Sequence, residues 1–401
     1  MAAVEEVFAR AWPVVVAATV RLTRDLDLAE DCAQEAVERA LRSWASGPPD
    51  NPTGWLTTTA HRIALDRLRR EATLRRKLPL LVEPAGDADE PGPTDPLRLA
   101  FVCCHPALAR ESQVALTLRL VCGVDVAAIA GALLTGEAGV ARRITRAKQK
   151  IAAARIPFRV PPDEELPARL DAVLTVVHLA HTAGHVGTRA HLRNPDLTER
   201  ATGLARMLVR LLPDEPEAKA LLGLILLTEA RSPARTNAAG DLVLLADQDR
   251  SRWDRPLIRS GLALSTAALR HRHRGRFALQ AAVAGLHAVA PTWAETDWAQ
   301  IVTTYDALVR TWPSPVVALN RAAARSRLPD ADLAAVLREI DDLAPALAGY
   351  PYLPAARADV LARLGRADEA AAAYHHALAL TTNPVEHRYL ARRHAELALG
   401  P

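Results

Sequence analysis

The chain has 401 residues, a formal net charge of +4 at pH 7 and 4% aromatic residues. Its length predicts two or three domains, and because sheets draw on β-branched and aromatic side chains, its composition favours an all-α fold. The longest apolar runs, such as Leu221–Leu227, fall far short of the roughly 20 residues that cross a bilayer, and the first residues lack the basic start of a signal peptide. We therefore expect a cytoplasmic protein that does not bind membranes. The cysteines lack the pairing of a disulfide framework or a zinc site and are expected to be reduced and mostly buried: Cys32, Cys103, Cys104 and Cys122.

Charge is unevenly distributed along the chain. Between Thr53 and Val82 there are seven basic residues and two acids, and Glu137–Arg155 has six basic residues and one acid. Asp25–Glu38, in contrast, has six acids and no base. This distribution is typical of a protein that contacts nucleic acid through two surfaces and a basic protein through a third.

The first predicted elements are helices between Ala3 and about Leu78. Asp27 and Glu30 have the spacing of a capping box. Apolar residues then recur at helical period as far as Leu41, which leaves a polar stripe on the opposite face: Asp31, Gln34, Glu35 and Glu38. Such a stripe is either a solvated helix face or a surface that docks on a basic partner.

A second helix in this region starts near Asn51. Leu56, Ala60 and Ile63 are predicted to face the core, and the other positions combine an exposed aromatic residue with charge: Trp55, Arg62, Asp66, Arg69 and Arg70. A basic face beside an aromatic ring suits phosphate contact and base stacking. Arginines on a solvated helix are the alternative interpretation.

Glu83–Pro96 holds five acids, four prolines and two glycines, so it is predicted to be a flexible linker. A helical unit follows from about Leu97 to Arg155. In it, Gly123 allows a turn, a short helix begins near Val126, and a basic helix begins at Glu137. This order predicts a helix-turn-helix whose last helix presents basic residues outward: Arg142, Arg143, Arg146, Lys148 and Lys150.

The last segment follows a proline-rich joint at Ile156–Pro167 and is predicted to be helical to the end. Ala355–Leu380 has the small and aromatic spacing by which paired helices of a tetratricopeptide repeat interlock. Earlier helices lack a clean 34-residue period, so we interpret the region as tetratricopeptide-like and irregular.

The order of these features resembles a known family. Asp25–Ala36 and Gly54–Arg70 closely resemble the second conserved region of extracytoplasmic-function sigma factors, and Gln113–Ile151 looks like the fourth region. The match continues in segments similar to the subfamily with a tetratricopeptide-like C-terminal extension: His105–Leu108, Asp247–Trp253, Thr296–Trp298 and Ser314–Arg321. The implied domains are region two at 1–80, a linker at 81–98, region four at 99–156 and a regulatory helical domain at 166–401.

The resemblance also implies partners and roles. Asp31, Gln34, Glu35 and Glu38 would dock on the β′ clamp coiled coil of core RNA polymerase, and the β subunit is a further implied partner. The helix from Trp55 to Arg70 would read the minus-ten promoter element, and Arg142–Lys148 the minus-thirty-five element. The C-terminal domain would receive a regulatory protein or ligand. No catalysis, cofactor or metal is implied.

One motif departs from that family. Where the resemblance leads us to expect Asn-Glu-Gly-Tyr, this chain has His181-Thr182-Ala183-Gly184-His185. His178, His181 and His185 have a spacing that permits metal ligation, but neutral, hydrogen-bonded histidines are the preferred interpretation.

Two other function classes compete with a sigma factor. A helix-turn-helix regulator with a helical sensor domain explains Gln113–Ile151, but not the acidic stripe, the basic helix after Trp55 or the linker. A hydrolase hidden in the extension is suggested only by Asp247, Asp249 and the histidines. No nucleophile elbow, phosphate-binding loop or paired metal motif supports it, and these aspartates, next to Arg250, Arg252 and Trp253, are more simply interpreted as caps and ion-pair partners.

Overall fold

The computed structural model describes residues 2–44, 47–76, 95–133, 135–162, 164–186 and 194–398. Within these ranges the chain is all-α, as predicted, with a single isolated β-bridge between Thr236 and Leu242. The helices are α1 (Ala2–Thr23), α2 (Leu26–Ser43), α3 (Pro52–Arg76), α4 (Asp95–Cys103), α5 (Arg110–Leu120), α6 (Val126–Ala132), α7 (Glu137–Ala153), α8 (Leu166–Val186), α9 (Pro195–Leu211), α10 (Pro216–Glu229), α11 (Arg255–Leu269), α12 (Arg276–Val289), α13 (Trp298–Thr311), α14 (Pro315–Arg325), α15 (Leu333–Asp342), α16 (Tyr352–Arg363), α17 (Ala367–Leu380) and α18 (Pro384–Ala398).

The chain packs as two compact units. The first comprises residues 1–188 and 193–211, and the second comprises residues 189–192 and 212–401. The first unit thus contains both promoter-binding regions predicted from the sequence, together with α8 and α9. Most of the predicted linker lies outside the described residues, which resume at Asp95 with the start of α4. The domain boundaries given above remain predictions.

The first unit begins with α1, α2 and α3, which pack on one another. Small residues on α2 let the helices approach closely, since Ala29, Ala33, Ala36 and Ala40 are all fully buried. The start of α2 differs from the predicted capping box. Asp25 is the N-cap, and its carboxylate accepts the backbone N–H groups of Asp27 and Leu28 at 2.8 and 3.0 Å.

The predicted helix-turn-helix consists of α5, α6 and α7. Gly123 allows the turn after α5 with a φ of 62°, in the left-handed region that favours glycine. The inner face of α7 is as predicted, because Val140, Ile144, Ala147 and Ile151 are buried. Apolar side chains therefore fix the direction of the basic helix.

Two helices of the predicted extension complete the first unit. From α8, the buried Arg169 donates through Nη2 to the carbonyl oxygen of Phe101 in α4 at 2.7 Å. From α9, Arg200 donates to the carbonyl oxygen of Cys122. A Cβ on Gly123 would overlap the side chains of Arg200 and Trp12, so this turn requires glycine for space as well as for φ. The start of the extension thus packs against α4 and against the turn of the helix-turn-helix.

The second unit begins with α10, α11 and α12, which meet at glycines. A Cβ on Gly223 would lie 3.0 Å from the carbonyl oxygen of Gly261, so the backbones of α10 and α11 are close.

The Asp247–Trp253 motif precedes α11. Asp249 caps a 3₁₀ turn through Ser251, as predicted. Among the residues that the structure describes, Arg250 forms no ion pair between helices: its Nη1 donates to the carbonyl oxygens of His287 and Ala290 at 2.7 and 2.5 Å.

The tetratricopeptide-like pattern forms the helical pair α16 and α17. Gly365 ends the first helix with a φ of 75°. Ala370, Tyr374 and Ala377 are buried in the cluster that joins α14 to α18. In the described part of the chain, no helix is long and apolar enough to cross a membrane.

Candidate polymerase and promoter interfaces

The polar stripe of α2 is mostly accessible. Asp31, Gln34 and Glu38 are exposed, as the sequence indicates. Glu35 is half-buried, and its two carboxylate oxygens accept from Arg39 at 2.6 Å and Arg67 of α3 at 2.8 Å. Burial raises the pKa of Glu35, but these two arginines outweigh burial and hold the pKa below its usual value. Glu35 therefore stays charged and helps to join α2 to α3.

The charged face of α3 lies in solvent. Arg62, Asp66, Arg69 and Arg70 are exposed. Trp55 is less accessible than predicted, because its ring packs edge-on against Trp44 with the centroids 5.4 Å apart. Only part of the Trp55 ring is open to a base, and the rest belongs to an aromatic group that includes Phe8.

The basic residues of α7 differ in their exposure to solvent. Arg142 and Arg146 are exposed and Arg143 is half-buried. Lys148 was expected on the outer face, but it is only 8% exposed. This expectation is wrong because helical period places Lys148 next to the buried Ala147 and Ile151, where it meets two carboxylates of α2.

Lys148 belongs to a charge cluster between α2, α5 and α7, in which Lys148 and Glu30 are buried and Asp27 is exposed. Its Nζ lies 2.6 Å from Glu30 Oε2 and 2.8 Å from Asp27 Oδ1. Arg119 of α5 donates through Nε to the other Glu30 oxygen at 2.6 Å. Burial lowers the pKa of Lys148, but Glu30 and Asp27 outweigh it and raise the pKa above the ordinary value. One carboxylate thus holds two cations from the helix-turn-helix.

Sequence reasoning missed this cluster, although it contained a signal. Glu30 follows Ala29 and precedes Cys32 and Ala33 on the buried side of α2, so a charged residue lies on an apolar face. A buried charge requires a partner. The partner residues lie 89 and 118 positions away, beyond the reach of local patterns.

The edge of the acidic stripe borders a depression of about 410 Å³. Gln34, Val37 and Glu38 of α2 line one side, together with Phe8 and Trp12 of α1. Gly123 and Arg200 line the other side. The stripe and the start of the extension are therefore neighbours in the first unit.

Comparison with known proteins agrees with this arrangement. Residues 4–73 match the sigma-70 region 2 family, and residues 169–269 match a family of unknown function, DUF6596. An uncharacterized protein of Rhizobium meliloti is 41% identical over 97% of this chain and 94% of its own length. The ECF RNA polymerase sigma factor SigJ of Mycobacterium tuberculosis is 32% identical over 44% of this chain and 58% of its own length. The chain belongs to the extracytoplasmic-function sigma factors.

The similarity to a second sigma factor covers less of the chain. The probable ECF RNA polymerase sigma factor SigI of Mycobacterium tuberculosis is 30% identical over 35% of this chain and 52% of its own length. The matches to the two Mycobacterium proteins thus span only about half of those relatives. No solved structure matches this sigma factor. The position of DUF6596 fits a sigma factor with a C-terminal extension.

The histidine motif of this sigma factor lies on α8. His181 is 3% exposed, and its ring stacks on His185 with the centroids 5.8 Å apart. His185 is half-buried, so both histidines are part of the packing of the first unit.

Proposed function

We propose that this protein binds core RNA polymerase and directs it to promoters that contain minus-ten and minus-thirty-five elements. The observation that carries the proposal is the combination, in one unit, of three surfaces: the exposed acids of α2, the exposed charged face of α3 and the exposed arginines of α7. The match of residues 4–73 to sigma-70 region 2 supports the first two surfaces.

The acidic stripe is the proposed polymerase contact. Asp31 and Glu38 are the best residues to test it, because both are exposed, whereas Glu35 is half-buried and holds Arg67 of α3 at 2.8 Å; Asp31 reaches the same arginine only at 3.6 Å. The double variant Asp31→Lys, Glu38→Lys should lose binding to core polymerase, more so at low salt, where a charged contact contributes most. The measurement is a pull-down of core polymerase followed by transcription in vitro.

Asp342→Lys is the matched control. Asp342 is the exposed last residue of α15, where a lysine is favourable for the helix, and it lies in the second unit. Undiminished polymerase binding by the correctly folded double variant would disprove the contact. Binding of the protein alone to a specific duplex, without any effect on core polymerase, would instead favour a helix-turn-helix regulator.

Arg142 and Arg146 are the proposed promoter contacts of α7. Replacing either by Ala should cost about 1–3 kcal/mol of binding if it reads a base edge, or lower the salt slope by about one unit if it holds a phosphate. Footprints of the minus-thirty-five element with the polymerase complex at matched salt measure this. Gln149→Ala, exposed on the same helix, serves as the control, and unchanged footprints for both arginine variants would contradict the assignment.

This function requires the first unit to open. The two promoter elements lie about 25 base pairs apart, a distance of about 85 Å along B-form DNA. Here α7, the proposed reader of one element, is joined to α2 by the 2.6 Å contact of Lys148 with Glu30. The reader of the other element, α3, packs on α2. The two readers cannot occupy their elements in this arrangement, so we assign it to a state without promoter and call it the closed arrangement.

The extension is proposed to act on this equilibrium in cis. The supporting observation is that α8 contacts α4 through Arg169, and α9 contacts the turn after α5 through Arg200, each bonded to a backbone carbonyl oxygen of the predicted region four. Because the acceptors are backbone oxygens, most substitutions in region four leave these bonds in place. The bonds stabilise the position of region four that the extension favours.

A further inference from the structure

A cavity of about 560 Å³ lies in the first unit where the end of α1 meets the end of α7. One wall comes from α1 and the start of α2, and the other comes from the end of α7 and the chain that follows it. A single residue of α4 completes the lining. The lining residues are Val20, Arg21, Arg24, Leu26, Val102, Ile151, Ala152, Arg155, Ile156, Pro157, Phe158 and Arg159. The volume is in the range of small-molecule sites.

The charge of this cavity is entirely positive. Four of the twelve lining residues are arginines, from both walls, and none is an acid. In the described part of the chain, Arg24, Arg155 and Arg159 make no ion pair. The carboxylate of Asp25, next in sequence, is engaged by the backbone of α2. Four guanidinium groups around one concavity attract an anion.

Two of these arginines occupy unusual backbone positions. Arg24 has a φ of 53° and Arg155 a φ of 48°, and they are the only residues other than glycine with positive φ in the described ranges. Each follows a helix at a place where glycine is free of strain, and an L-residue costs about 1–2 kcal/mol there. A cation near the carbonyl end of a helix recovers about 0.3–1 kcal/mol of this backbone cost. That accounts for arginine at positions 24 and 155, but it does not account for Arg159 or for the cavity.

The floor of the cavity is apolar. Leu26, Val102 and Ile151 of the lining are buried and Phe158 is half-buried, and we call these apolar residues the floor. A ligand that fits both parts has a planar apolar portion for the floor and several anionic oxygens for the guanidinium groups, which bind phosphate in bidentate geometry.

We propose that this cavity binds a nucleotide with two or more phosphates. Its base lies on the apolar floor beside Phe158, and its phosphates contact Arg24, Arg155 and Arg159. Because one wall belongs to region two and the other follows region four, a bound nucleotide stabilises the closed arrangement. This consequence rests on the proposed function, and the nucleotide would then weaken binding to core polymerase.

Binding is tested first, on the full chain and without polymerase. Titration calorimetry with ATP, GTP, pyrophosphate and adenosine should show binding of both triphosphates, weaker binding of pyrophosphate and none of adenosine. The variant Arg155→Gln, Arg159→Gln should lose about tenfold or more in affinity for ATP, as expected for two charge-assisted contacts. Arg270→Gln, Arg272→Gln, two exposed arginines of the second unit, should bind ATP as the native chain does.

Phe158→Ala tests the contact with the base separately from the contacts with the phosphates. It should weaken ATP binding and leave pyrophosphate binding unchanged, and circular dichroism with thermal unfolding checks that each variant is folded. No binding of any probe at millimolar concentration would overturn the proposal. So would a loss of promoter DNA binding in the Arg155, Arg159 variant with ATP affinity unchanged, since these arginines would then serve DNA.

The regulatory consequence has its own readout. A pull-down of core polymerase by the full chain should decrease when ATP is added and stay constant for the Arg155, Arg159 variant. ATP binding without any effect on the pull-down would refute the regulatory consequence and leave the site in place. If the chain fails to bind polymerase at all, the proposed function falls, while calorimetry still decides the nucleotide site.

Discussion

Glu30 joins α2 to the helix-turn-helix in the closed arrangement. Its carboxylate is 9% exposed, and it holds Lys148 and Arg119 at 2.6 Å each. Breaking a buried pair costs far more than breaking an exposed one, because an uncompensated charge stays behind. The raised pKa of Lys148 means that this contribution to stability is complete below the ordinary lysine pKa and is lost only as the pH rises through the higher folded value. The pair is therefore intact at neutral pH.

A double-mutant cycle measures this pair. Glu30→Gln and Lys148→Met should each lower the free energy of unfolding of the first unit by about 1–3 kcal/mol, because Asp27 and Arg119 still pair the charge that remains, and the double variant should lose less than their sum. Urea denaturation followed by circular dichroism gives the values. Glu38→Gln, whose partner Arg42 is exposed at i+4, should change stability by less than about 0.5 kcal/mol. Strictly additive effects of Glu30 and Lys148 would contradict the cluster.

The cysteines are predicted to be unreactive thiols. All four are free and buried. Burial raises the pKa of Cys104 to about 11 and of Cys122 to about 12, and it raises the pKa of Cys103 and Cys32 as well. Since the thiolate is the reactive form, iodoacetamide at pH 8 should leave the native protein unmodified and add four groups after unfolding in guanidinium. Mass spectrometry counts the adducts, and rapid modification of the native chain would show that these thiols are accessible.

At the scale of elements, α12 contains an acid-sensitive group. His287 is half-buried on this helix, and its ring lies 5.4 Å from the ring of Trp298. Burial, with Arg231 and Arg250 nearby, lowers the pKa of His287 to about 4. His287 of the unfolded chain binds a proton near pH 6.5, whereas in the folded unit it stays neutral down to about pH 4. The contribution of neutral His287 to stability is therefore complete above pH 6.5 and falls as the pH decreases towards 4.

This loss should amount to about 3 kcal/mol for the second unit between pH 6.5 and 4. His287→Phe keeps a ring for Trp298 and removes the titrating group, so its stability should change less over the same range. Tryptophan fluorescence during urea denaturation at several pH values measures both proteins. His375→Phe, a histidine for which the structure gives only a distant ring contact with His394 at 6.5 Å, is the control. Equal acid sensitivity of the native chain and the His287 variant would exclude this origin.

For the molecule as a whole, the position of α8 and α9 has a direct consequence for truncation. These helices follow the predicted region four, but they pack in the first unit. A fragment that ends at residue 160 lacks Arg169 and Arg200, and it exposes the surface that they cover. A fragment that ends at residue 211 keeps both contacts.

The longer fragment should therefore be the more stable one. We expect residues 1–211 to unfold cooperatively at a higher temperature than residues 1–160, because the shorter fragment loses the buried Arg169 contact and its apolar surroundings. Differential scanning calorimetry of both fragments decides this. Equal melting temperatures would show that α8 and α9 add nothing to the promoter-binding regions.

The sequence alone determined the helical character of the chain, the apolar part of the inner faces of α2 (apart from Leu41, which is exposed) and α7, the helix-turn-helix and the family. These features depend on helical period, turn glycines and motif order, all of which act over a few residues. The tertiary structure decided where Lys148 lies, which acid it meets and where the extension begins to pack. It also decided that arginines near the end of α1 and arginines after α7 share one cavity. Such contacts join residues about 100 positions apart, and no local pattern encodes them, because burial and charge pairing depend on the neighbours that folding supplies.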